Sequence, residues 1–134
     1  MSYLLDTNIV SYIVKSRASP KLEAKMRAVP KHWLYISVMT EAELLYGLKR
    51  SDNARLKLKV QDFLNNIQVI DWDRNTAKSY SELRYLSQKM GVTIAELDLQ
   101  IASHAHAESM VLVSNDMIFS HLVPMGLKLE NWYE

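Results

Sequence analysis

The sequence contains no cysteine. That excludes a disulfide framework, a thiolate metal site and a cysteine nucleophile. Glycine and proline are scarce, three of each in 134 residues. Connections must therefore be short, and there is no glycine-rich phosphate loop. No apolar run approaches the ~20 residues of a membrane span, and no repeat or low-complexity tract appears. The opening Met-Ser-Tyr-Leu-Leu-Asp has no basic stretch and meets a carboxylate at Asp6. A secretory leader is not expected there, and a cytosolic setting is. Net charge is nearly absent as well: sixteen Lys/Arg against fifteen Asp/Glu leave +1.

That balance hides an asymmetry. Residues 1–60 carry eleven basic and five acidic side chains, whereas 61–134 carry five basic and ten acidic. Lys15, Arg17, Lys21, Lys25, Arg27 and Lys31 form one basic stretch, and Lys49, Arg50, Arg55, Lys57 and Lys59 another. Such patches suit a phosphate backbone, although solvated helix faces are the plainer reading. The chain is 49% apolar and 23% charged, an ordinary globular balance for one domain over 1–134.

Short strands alternate with helices. Tyr3–Leu5, Trp33–Ile36, Ile67–Ile70 and Met110–Val113 read as strands, and Leu127–Leu129 is a candidate fifth. Ser19-Pro20 starts a helix to about Val29, Ser37 caps one to about Arg50, and Asp73 opens a long one to Met90 ahead of Gly91. Shorter helices are expected over Asn8–Lys15 and Asn53–Asn65. Thr93 with Glu96 fits a capping box for a last helix to about Glu108. The pattern predicts an α/β three-layer sandwich with a short, mostly parallel sheet flanked by helices. The active site of such a sheet lies beyond the carboxyl ends of its strands.

Four carboxylates stand in unexpected company. Asp6 ends an apolar strand, and Asp116 follows another after Ser114-Asn115. Glu43 has Met39, Tyr46 and Gly47 three or four residues away, and Asp98 shares a helical face with Ile101, Ala102 and Ala105. Each has a plain alternative. Asp6 could cap a helix, Glu43 could close a capping box with Thr40, Asp98 could pair with a buried arginine, and Asp116 could sit in a simple turn. Together they can converge at one sheet edge. Like charges at ~4 Å repel by roughly 1–4 kcal/mol per pair, so such a cluster needs protons or a cation. Hard oxygen ligands point to Mg²⁺, with Mn²⁺ as the second candidate. His104 and His106 are two apart on one helix and make a poor chelate; with His32 and His121 they read as structural or surface residues. An acid-only site opposite basic patches suggests phosphodiester chemistry.

With these acids in this order, the chain resembles the PIN-domain ribonucleases, specifically the VapC-type toxins of toxin–antitoxin pairs. Leu4-Leu5-Asp6-Thr7-Asn8 is similar to the family's opening motif and Ile36-Ser37-Val38 with Glu43-Leu44-Leu45-Tyr46-Gly47 to its second. Asp98 to Ala105 is similar to the third, and Val113-Ser114-Asn115-Asp116 with Phe119 to the fourth. Ser114 stands where a threonine is commoner, which keeps the hydroxyl. The resemblance implies a Mg²⁺-dependent endoribonuclease that leaves 5′-phosphate and 3′-hydroxyl ends and inhibits translation. It implies Asp6, Glu43, Asp98 and Asp116 as catalytic metal-site acids, with Asn8, Ser114 and Asn115 hydrogen-bonding around them. It also implies an RNA substrate held by the basic stretches, a homodimer, and a cognate VapB-like antitoxin through which alone operator DNA is reached. That antitoxin would lay an apolar helix near Tyr12, Ile13, Leu45 and Leu48. Two other readings are a non-cleaving dimeric partner of a DNA-binding regulator and a DNA-directed nuclease.

Overall fold

The computed structural model describes residues 1–134. The strands are β1 (Tyr3–Leu5), β2 (Leu34–Ser37), β3 (Gln68–Ile70), β4 (Val111–Val113) and β5 (Lys128–Glu130). The helices are α1 (Thr7–Val14), α2 (Pro20–Ala28), α3 (Val38–Lys49), α4 (Ala54–Asn66), α5 (Arg74–Lys89) and α6 (Glu96–Ala107). A 3₁₀ turn precedes β2, and a longer 3₁₀ run over Met117–Met125 leads to β5. The strands form one sheet in the order β3-β2-β1-β4-β5. Every pairing is parallel, with Leu5 opposite Val113 and Tyr3 opposite Leu34.

The central strands are apolar because both faces are covered. Successive side chains point to opposite faces. Tyr3, Leu5, Val111 and Val113 pack with Ile9, Val10, Leu22 and Trp132 in one core, whereas Leu4 and Leu112 pack with Ile101, Ala102, Phe119 and Leu122 in the other. This is the expected three-layer sandwich, with a sheet wholly rather than mostly parallel. No helix is long and apolar enough to cross a membrane.

Local chemistry sets most helix starts. Leu22 N–H bonds Ser19 Oγ at 3.2 Å, Met39 N–H bonds Ser37 Oγ at 3.0 Å, and Thr76 N–H bonds Asp73 Oδ1 at 2.9 Å. Gly91 takes the left-handed φ of 72° just past α5. The Thr93–Glu96 capping box does not form. Ala95 occupies the N-cap without a side-chain bond. The Glu96 carboxylate instead accepts the Tyr80 hydroxyl from α5 and Gln100 Nε2, so it cannot reach back to Thr93.

Candidate active site

Asp6 sits where β1 ends and α1 begins. Its N–H donates to Val113 O at 3.0 Å, which extends the β1–β4 ladder one residue beyond Leu5. Its side chain is 2% exposed. Oδ1 accepts the Thr7 N–H at 2.8 Å and so caps α1. Oδ2 accepts the Ser114 hydroxyl at 2.9 Å. Ser114 Oγ in turn accepts the Asp116 N–H at 3.0 Å. The capping alternative for Asp6 is therefore realised together with its position at the strand end.

Burial pushes the Asp6 carboxyl up from 3.8 to about 6, against the pull of the Ser114 hydrogen bond. The negative charges of Asp98 and Asp116 push the same way. Asp98 is half-buried on α6, and burial, then the charge of Asp116, raises its pKa also. Asp116 is exposed and accepts the Ile118 N–H at 3.0 Å, which starts the 3₁₀ run. Asp6, Asp98 and Asp116 thus lie near enough at the carboxyl edge of β1 and β4 to feel one another's charge. No cation pairs with them, since the chain's one ion pair within 4.0 Å joins Arg27 to Glu23. The arginine partner envisaged for Asp98 is not there.

Glu43 is placed differently. The α3 face bearing it points outward: Glu43 is exposed and Tyr46 is 58% exposed, while Thr40 and Leu44 turn inward. Its helical neighbours are not the apolar surroundings their spacing suggests. The Thr40 capping box is also absent, because Ser37 already caps α3 and the Thr40 hydroxyl bonds that of Thr7 at 3.0 Å. Glu43 and Thr7 line the same cleft of about 400 Å³, which puts Glu43 on its wall, near the Asp6 helix.

Of the flanking groups, Ser114 touches the acids. Asn115 Nδ2 donates to the Tyr12 hydroxyl at 3.3 Å, and Asn8 is exposed without a hydrogen bond. Sequence reasoning offers Thr40 only as a capping partner of Glu43 and misses its bond to Thr7. Thr40 is fully buried and ties α3 to the helix that Asp6 caps; a hydroxyl one turn before Glu43 is the signal. The expected apolar groove is also divided. Leu48 lines the cleft beside Glu43, Ile13 lines a separate cavity between α1 and α4, Leu45 points to solvent, and Tyr12 stacks on Tyr133 at 4.3 Å.

The histidines are structural or at the surface. His104 is fully buried, with Nε2 2.9 Å from Asp71 O and Nδ1 2.7 Å from Ser37 Oγ. A carbonyl only accepts, so Nε2 carries a proton, and in the neutral ring Nδ1 accepts from the Ser37 hydroxyl. The ring locks α6 to the end of β2. His106 bonds Ser79, while His32 and His121 are exposed.

The donor set suits a hard dication. It offers carboxylate oxygens with no competing thiolate or imidazole, and with mutual repulsion that nothing on the chain neutralises. Nowhere do three Asp, Glu or His side chains stand close enough to enclose one ion.

The PIN domain family matches residues 3–123. Ribonuclease VapC2 of Haemophilus influenzae is 34% identical over 98% of both chains. VapBC2 from Rickettsia felis, solved bound to a promoter DNA fragment, superposes with a TM-score of 0.83 at 34% identity, over 98% of this chain and 99% of that one. The DNA-bound VapBC of Salmonella typhimurium gives a TM-score of 0.87 at 26% identity, over 98% of each chain.

Proposed function

We propose, from the premise that this chain belongs to the PIN-domain family and is a VapC-type ribonuclease toxin, that it hydrolyses RNA internally with a divalent metal ion. The reading includes 5′-phosphate and 3′-hydroxyl products and arrest of translation. One observation carries the metal site: the buried Asp6 carboxyl lies within the charge field of Asp98 and Asp116 with no cation paired to any of them.

Asp6, Asp98 and Asp116 would hold the ion, with Glu43 joining from the cleft wall. Bound there, Mg²⁺ or Mn²⁺ supplies the electrophile that activates water and steadies charge on the phosphodiester. The protein's part is preparation. The Thr7 N–H and Ser114 hydroxyl fix both Asp6 oxygens and favour its charged form, while burial favours the proton. Ser114 also holds the Asp116 backbone, so one hydroxyl sets the spacing of two acids. The Thr7–Thr40 bond keeps α3, and with it Glu43, against the Asp6 helix.

The reading extends to a homodimer silenced by a VapB-type antitoxin, which alone contacts operator DNA. The antitoxin partner is supported by the DNA-bound VapBC complexes among the solved relatives. The test is cleavage of end-labelled RNA by the purified chain, with and without EDTA, followed by mapping of the new ends. Fragments that ligate only with a phosphorylated 5′ end support the proposed chemistry. Undiminished cleavage after metal removal would overturn it.

A further inference from the structure

Asp6 caps one end of α1, and Tyr12 sits in its last turn, ~9 Å away along the axis. Both reach the same turn of the chain. At the first end Asp6 Oδ2 accepts the Ser114 hydroxyl at 2.9 Å. At the other the Tyr12 hydroxyl accepts Asn115 Nδ2 at 3.3 Å. Asn115 therefore turns away from the acids beside it, and this is the one hydrogen bond its side chain makes. Asp116 comes next, with its N–H on Ser114 Oγ at 3.0 Å. A turn held at one point can pivot about it. Held at two points on one rigid helix, it cannot.

The Tyr12 ring is itself held from outside α1. It stacks on Tyr133, with centroids 4.3 Å apart and planes 29° from parallel. Tyr133 is fixed in turn. Its N–H bonds Asn131 Oδ1 at 2.8 Å, and its hydroxyl donates to Arg17 O at 3.4 Å, just past α1. On one side of it, Trp132 is buried and packs on Tyr3 at 4.9 Å. Lys21 Nζ, from α2, donates to Asn131 O at 2.8 Å. The same stretch of chain reaches the turn by its backbone as well, because Glu130 O accepts the Ser114 N–H at 3.1 Å. Residues 130–133 thus grip 114–116 twice, once directly and once through Tyr12.

We propose that Tyr12 and Tyr133 are positioning residues of the active site: Tyr133 aims the Tyr12 hydroxyl at Asn115, and that bond fixes the turn that presents Asp116 alongside Asp6. The proposal rests on the metal-site reading and adds to it the device that holds the site's most exposed acid in place. Neither tyrosine touches the acids; both act through Asn115. A purely packing role would need the two rings and not the hydroxyl. The hydroxyl of a half-buried tyrosine can be satisfied by water, yet here it meets the residue next to Asp116.

The test uses the full-length chain and two readouts. The first is amide hydrogen exchange of Ser114 and Asp116 in EDTA, followed by NMR. Tyr12→Phe and Tyr133→Ala should each speed it about fivefold or more, the scale of one neutral hydrogen bond. Tyr133→Phe keeps the stack and should exchange as wild type does. The Leu112 amide, inside β4, should be unchanged in all three. The second readout is the Kd for Mn²⁺ by calorimetry, which should rise about fivefold in the same two variants. Leu64→Ala, against the core on α4, controls for general destabilisation: it should lower the melting temperature and move neither readout. Asn115→Ala with Tyr12→Phe should be no worse than Asn115→Ala alone, since the two residues act along one path. Wild-type exchange at Asp116 in Tyr12→Phe overturns the proposal, and so do effects of Tyr12→Phe and Asn115→Ala that multiply. The metal-site reading fails separately, if the wild-type chain binds no Mn²⁺ and cuts no RNA in Mg²⁺ or Mn²⁺; the exchange rates, measured without metal, judge the positioning in either case.

Discussion

The Ser114 hydroxyl reaches Asp6 Oδ2 at 2.9 Å across 108 residues of chain. It is the one polar side chain that touches the most deeply buried acid of the site. It favours the carboxylate over the carboxylic acid, and so opposes the effect of burial.

Ser114→Ala should therefore move the Asp6 pKa further above about 6. Below neutral pH fewer molecules would have the ionised Asp6 that a cation needs. Cleavage at pH 6 should fall roughly tenfold, and less at pH 8, since a charged hydrogen bond contributes about 1.5–3 kcal/mol. Ser114→Thr should behave as wild type. A pH–rate profile of the three proteins checks this.

Metal-free protein should become more stable as the solution is acidified from pH 7 to about 4. Asp6 is protonated below about 6 when folded but only below 3.8 when unfolded, so the native state binds the extra proton inside that window. The cost of holding Asp6 ionised, on the order of 3 kcal/mol, is fully present above the window and relieved as pH falls through it. Asp73, held below its usual range by the Thr76 N–H and hydroxyl, acts in the opposite sense, but below pH 3.8. Asp6→Asn should remove most of the gain between pH 6 and 4, leaving the part that the raised Asp98 carboxyl contributes in the same sense. Thermal melts in EDTA across this range measure it.

Asp98→Asn should abolish Mg²⁺-dependent cleavage and leave the metal-free melting temperature equal or higher, because it removes a repulsion with Asp116. Asp62→Asn, on the outer face of α4, should cut RNA within a few-fold of wild type. The sorting of the acids is wrong if these two results are exchanged.

His104→Ala should destabilise the fold by roughly 3 kcal/mol, whether or not metal is present. It opens a cavity at a fully buried site and strips partners from Asp71 O and Ser37 Oγ. Urea unfolding in EDTA gives the number.

What the sequence reveals here is governed by how local each signal is. The apolar runs Tyr3–Leu5 and Met110–Val113 mark strands covered on both faces, and the acid after each marks the sheet edge, so Asp6 and Asp116 are legible. Asp98 is legible too, because Ile101, Ala102 and Ala105 on its face are all buried. Glu43 is not, because α3 is apolar on more than one side and its spacing alone cannot say that Thr40 and Leu44 turn inward. The failed Thr93–Glu96 box has the same origin: Tyr80, sixteen residues away, claims the Glu96 carboxylate. The pairing of Thr7 with Thr40, or of His104 with Asp71, depends on where the helices dock.

The strand order has a consequence in time. β1 is the first strand to leave the ribosome, yet it lies in the centre of the sheet between β2 and β4. Its last residue pairs with Val113, and Ser114 and Asp116 come only after that. Parallel pairing over such separations is slow, since a large loop must close before any contact repays it. A growing chain can therefore display Asp6, Glu43 and even Asp98 without having assembled them. On the proposed site, the acids can come together only once about the last fifth of the chain has been made and docked.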